Sequence, residues 1–129
     1  MEARVLGQYV PAEWQSDVIE RGFRALPFLP ACCQRERVSV RIPDARAEAP
    51  HPNNLQWHQD GGGAEGTTHH MVIWASEQPT ELRESDGTIF PIAPLQVVWF
   101  DNTKAFHRQP TGTDEARRWF VAIRCSGAL

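Results

Sequence analysis

The sequence predicts a mostly β domain, an antiparallel sandwich or jelly roll, with one amphipathic N-terminal helix packed on a sheet. Three observations predict it. Only one segment repeats its apolar residues at helical spacing. From residue 37 onward the chain breaks into short runs that alternate or are rich in β-branched and aromatic residues. Gly, Pro, Asn and Asp punctuate those runs at short intervals. A chain of 129 residues makes one domain, residues 1–129, with one core between packed layers.

The helix is expected over residues 12–26, "AEWQSDVIERGFRAL", where Trp14, Val18, Ile19, Gly22, Phe23 and Leu26 share a face and Pro27 ends the run. "ERVSVRI" then alternates Val38, Val40 and Ile42 with polar residues, as a half-buried strand does. "PDARAEAPHPNN" is Pro-rich and polar and reads as a loop. "LQWHQD" is short and strand-like, and "GGGAEG" is a turn. "TTHHMVIWAS" is the strongest strand, and "TELRESDGTIFPI" is two short strands about a tight "SDG" turn. "LQVVWFDNT", "AFHRQPT" and "RRWFVAIRC" complete a set of roughly eight strands that follow the helix.

Composition removes some function classes. The net charge is −3 and the basic residues are scattered, so there is no electrostatic footprint for nucleic acid or an anionic membrane. No apolar run is long enough to span a bilayer, and the N-terminus lacks the pattern of a secretory signal. Cys32, Cys33 and Cys125 are odd in number and lack metal-type spacing, which fits reduced thiols and a cytoplasmic location.

The chemistry concentrates in "NLQWHQDGGG", residues 54–63. His58 and Asp60 are two apart, so on a strand both side chains leave from the same side. A third ligand must come from elsewhere. Of the histidines, His51 is in the loop, His69 and His70 are adjacent and face opposite ways, and His107 lies on a late short strand. Two imidazoles and a carboxylate form the facial set preferred by non-haem iron(II), with positions left open for a co-substrate and O2. Arg118 follows His107 with ten residues between them and begins the last strand. Its guanidinium is a planar fork suited to a carboxylate. Along that strand Trp119, Val121, Ile123 and Cys125 form an apolar face suited to the helix. Arg118, Phe120, Ala122 and Arg124 form the mixed face with room for a ligand.

In this order His58, Asp60, His107 and Arg118 resemble the iron(II)- and 2-oxoglutarate-dependent oxygenases. Their spacing is similar to that of the phytanoyl-CoA hydroxylase-like and taurine dioxygenase-like branches. Arg118 and Arg124, six apart, are similar to the pair of the nucleic-acid repair branch, although the acidic pI argues against that substrate. The resemblance covers residues ~38–125 and implies a double-stranded β-helix, which is a jelly roll with helices against one sheet. It implies that iron(II) is held by His58, Asp60 and His107 and that 2-oxoglutarate is held by Arg118. Arg124 is then the second-choice anchor or a substrate contact. It also implies hydroxylation of a small-molecule substrate coupled to formation of succinate and CO2. Family members carry more N-terminal structure than this chain, so a homo-oligomer that completes the pocket is expected.

Two other readings stand beside this one. A cupin-like isomerase or dioxygenase would work without 2-oxoglutarate and recruit more imidazoles, such as His69 or His70. A jelly-roll binding module would hold no metal. His69 and His70 are read as structural or pocket residues, and the tryptophans as core, with Trp57 and Trp74 as candidates to line a pocket. Glu81 and Arg83 are read as solvated hairpin charges.

Overall fold

Strand β3 (His70–Ala75) is buried from Met71 to Ala75, because both of its faces are covered. The computed structural model describes residues 3–30, 39–41, 57–59, 70–76, 80–108 and 119–125. The remaining strands are β1 (Ala3–Gln8), β2 (Ser39–Arg41), β4 (Glu81–Arg83), β5 (Ile89–Pro91), β6 (Gln96–Asp101), β7 (Phe106–Arg108) and β8 (Phe120–Cys125); the helix is α1 (Ser16–Arg24). They form a five-stranded sheet in the order β1-β6-β3-β8-β2 and a three-stranded sheet in the order β5-β4-β7, with every pairing antiparallel.

Alternation along the strands of the large sheet builds two cores. Val72, Trp74, Val97, Val121 and Ile123 face α1 and pack with Ile19, Phe23, Tyr9 and Leu29. Met71, Ile73, Val98 and Phe100 face the other way and pack with Leu82, Ile92 and Ala105 from the small sheet and its loops. Where the last strand's side chains are described, the predicted division is present: Val121 and Ile123 pack toward the helix, and Ala122 packs on the opposite side; the side chains of Phe120, Arg124 and Cys125 lie outside the described residues.

The helix is shorter than its periodicity suggests. Residues 12–15 are bent rather than helical, and Gln15, in extended conformation, caps the start without a side-chain bond. Trp14 leaves the helical face and lies over Trp74 and Trp119, at ring separations of 6.2 and 6.3 Å. Asp17 in the first turn and Arg21 and Arg24 in the last complement the helix dipole. Among the described residues, no helix is long and apolar enough to cross a membrane.

β1 precedes the helix and was not expected from the sequence. Among the described residues it is an edge strand paired with β6 alone, its register shifts between Val5 and Gly7, and of its side chains only Ala3 is buried, so its alternation is weak. The hairpin between β4 and β5 follows the sequence reading. Gly87 takes the left-handed region at φ 89°, and the Asp86 carboxylate accepts the Thr88 amide at 2.8 Å. Cys32 and Cys33 lie outside the described residues.

Gly22 sits where α1 meets Tyr9. A Cβ there would overlap the Tyr9 hydroxyl, which is held in place by donating to the Ile19 carbonyl at 3.0 Å. Gly→Ala in an open helix gains about 1 kcal/mol. Here the expected sign is reversed, and Gly22→Ala should lose about 1–3 kcal/mol through overpacking. Chemical denaturation checks this, and a stabilised Gly22→Ala would show that Tyr9 yields without cost.

Candidate metal centre

β7 is three residues long, and its alternation points His107 inward while Phe106 and Arg108 lie on the outer side. His107 is 6% exposed. Residues 57–59 run beside β7 and meet it at His58. The His58 amide donates to the His107 carbonyl at 3.0 Å, and the His107 amide donates to the His58 carbonyl at 2.9 Å. Residues that exchange both bonds stand directly opposite in an antiparallel pair, with their side chains on the same side. The two imidazole rings accordingly lie 4.2 Å apart, centre to centre, tilted by 56°. Leu82 on β4 stands opposite His107 on the other flank, and the Phe100 ring is 5.5 Å from it. The pair thus belongs to the layer between the sheets.

A tight turn sets where β7 begins. The Asp101 carboxylate accepts the Thr103 amide at 2.9 Å and the Thr103 hydroxyl at 2.6 Å. The Asp101 carbonyl accepts the amides of Lys104 and Ala105 at 3.2 and 2.9 Å. Burial pushes the Asp101 carboxyl up. The hydrogen bonds from Thr103, with the charges of His70 and Lys104, outweigh burial and hold it below the ordinary carboxylate value.

His70 stands opposite Asp101 in the ladder and stacks on Trp99 at 4.7 Å. It alternates with Val72 and Trp74, so it lies on the helix-side face of the large sheet, away from His58 and His107. Trp74 is likewise no pocket wall: its indole N–H donates to the Tyr9 carbonyl at 3.0 Å inside the helix-side core.

The outer face of the small sheet differs from its sequence reading. Glu81 accepts Arg108 Nε at 3.1 Å across β4 and β7. The Arg83 guanidinium lies 5.0 Å from the Trp57 ring centre and 5.1 Å from that of Phe106. The Arg108 guanidinium lies 4.2 Å from the Trp57 ring centre. Glu81 and Arg83 are therefore packed, partly buried partners rather than solvated charges, and Trp57 belongs to this outer row. The available signal was parity, since Trp57 and Arg108 flank His58 and His107.

Of the residues proposed from sequence, the structure brings His58 and His107 together. Asp60 and Arg118 lie outside the described residues, as do Arg117, His51 and His69. The backbone of Arg124 stands opposite Met71 in the β3–β8 ladder; its side chain lies outside the described residues. Among the described residues, no group of three or more His, Cys, Asp or Glu could hold a metal ion. Imidazole is a donor of the type iron(II) takes, and the two rings lie side by side. No family model, curated protein or solved structure matches the chain.

The Asp101 turn carries its own pH test. Its folded pKa lies below the unfolded one, so its stabilisation is complete above about pH 4 and is lost as pH falls through the folded value. Asp101→Ala should cost about 1 kcal/mol at pH 7. That difference should shrink as pH falls through the folded value, as read from denaturation curves at pH 7 and at successively more acid pH; a difference that stays equal throughout would assign the effect to packing alone.

Proposed function

We propose that this chain is an iron(II)- and 2-oxoglutarate-dependent oxygenase built on a double-stranded β-helix, acting on a small molecule. The observation that carries the reading is the His58–His107 pair. Two histidines distant in sequence stand directly opposite each other, ring beside ring, between two sheets.

The order of the strands supports the fold. Along the chain the segments alternate between sheets: β2 in the large one, 57–59 beside the small one, β3 in the large, β4 and β5 in the small, then β6, β7 and β8 in turn. Late strands lie between early ones in both sheets, as β2-β8-β3-β6 and as 57–59, β7, β4, β5. A ribbon rolled into a jelly roll has this interleaving.

In this reading His58 and His107 donate one imidazole nitrogen each, and the Asp60 carboxylate is the third ligand. Such a set leaves three positions for co-substrate and oxygen. Iron(II), when bound, supplies the activation of O2 that the side chains cannot. Arg118 holds the distal carboxylate of 2-oxoglutarate through paired N–H donors, with Arg124 as second anchor or substrate contact. Phe100 and Leu82 beside His107 keep water from the inner side of the pair. The net reaction is substrate C–H plus 2-oxoglutarate plus O2 giving substrate C–OH, succinate and CO2. The cupin-like alternative would draw on further imidazoles, and His70 lies on the wrong face to serve.

The test is an anaerobic iron(II) titration with and without 2-oxoglutarate, following the weak visible charge-transfer band of the chelate, and then succinate release in air. The wild type should bind one iron and develop the band, and His58→Ala and His107→Ala should do neither. Arg118→Ala should weaken 2-oxoglutarate binding by about 30-fold or more, since removing one partner of a buried charged pair costs roughly 2–5 kcal/mol. Arg117→Ala should change it by less than about threefold, as for an exposed charge. Iron uptake with no response to 2-oxoglutarate would favour the cupin-like enzyme, and no iron uptake would favour a binding module.

A further inference from the structure

We infer that Trp57 is a positioning residue for the metal centre: clamped by Arg83 and Arg108 on the outer face of the small sheet, it sets which way His58 points. The inference rests on the oxygenase reading and concerns how its first ligand is aimed.

Among the described residues, the 57–59 segment is joined to β7 by the one reciprocal pair of bonds at His58. Backbone pairing alone specifies register weakly, because a slip of one residue keeps the bond type and turns every side chain to the other face. Such a slip would put His58 outside and Trp57 between the sheets. The side chains must therefore choose the register, and the outer row is built to do so. Antiparallel pairing of His58 with His107 sets Trp57 opposite Arg108, which itself stands opposite Glu81. The neighbouring row sets Phe106 opposite Arg83.

The indole thus meets one guanidinium at 4.2 Å and a second at 5.0 Å. Arg108 is tied to Glu81 at 3.1 Å, and Arg83 also lies over Phe106 at 5.1 Å. Both cations are thereby oriented by a partner besides the tryptophan. A ring held on its face by two cations already oriented by β4 and β7 loses both attractions in the slipped register. Parity then returns the benefit to the adjacent residue, since a fixed Trp57 on the outside holds His58 on the inside beside His107.

The test uses cobalt(II) as a probe of the site, in full-length protein without oxygen. Metal affinity is read by titration and coordination by the visible absorption of the bound ion. Trp57→Ala should weaken cobalt binding about 10- to 100-fold, the range for residues that orient a metal ligand, and should alter the spectrum. Trp57→Phe, which keeps a ring for the guanidiniums, should restore affinity to within a few-fold and the spectrum to that of the wild type. The Arg83→Gln, Arg108→Gln double variant keeps the indole but removes the clamp. It should behave like Trp57→Ala, and it decides the matter if Trp57→Ala does not fold. Wild-type affinity and spectrum in Trp57→Ala, or in the double variant, would overturn the positioning role while leaving the metal centre standing. A wild type that takes up no cobalt would overturn the metal reading itself, and this inference with it.

Discussion

β3 serves two cores at once. Val72 and Trp74 pack toward α1, and Met71 and Ile73 pack toward the small sheet, within one run of six residues. Burial on both faces removes more apolar area from water than a one-sided strand can. It also requires a layer on each side, with the helix and Tyr9 on one and β4 and its neighbours on the other. β6 and β8 flank β3 and repeat the division, with Val97 against Val98 and Val121 against Ala122.

The candidate centre follows from that division. The space between the sheets is apolar around Leu82, Phe100 and Ala105, and into this layer the small sheet sends His107. A buried polar ring in such surroundings costs free energy unless it is hydrogen-bonded. His58 meets it there through a reciprocal backbone pair that places the second imidazole alongside. The Asp101–Thr103 turn precedes β7, and the arginine–tryptophan row covers its outer side, so hydrogen bonds and ring contacts hold these three residues of strand from both sides.

Much of the architecture was legible in the sequence because its signals are local. The strands at β3 to β8 showed in alternation and in β-branched and aromatic content, the β4–β5 turn in Ser-Asp-Gly, and the helix in the spacing of Ile19 and Phe23. The face division of β8 followed from a period of two. β1 escaped because an edge strand paired on one side, with a bulge, leaves little alternation to read. Trp14 was assigned to the helix because spacing alone does not report where a helix begins, and without a side-chain cap nothing local marked Gln15.

By itself, the sequence determined which residues were available for chemistry: a His-x-Asp at 58–60, a late His107, and a pair of arginines of one parity at 118 and 124. The tertiary structure decided which imidazoles meet. His70 and His107 are alike as sequence, each a histidine on a short strand, yet His70 stacks on Trp99 toward the helix and His107 stands beside His58 between the sheets. It also moved Trp57 to an outer row with Arg83 and Arg108 and made Glu81 a partner of Arg108. The reason is physical: alternation along a strand is a property of neighbours in the chain, whereas cross-strand register is set by packing and hydrogen bonds between segments that the chain keeps far apart.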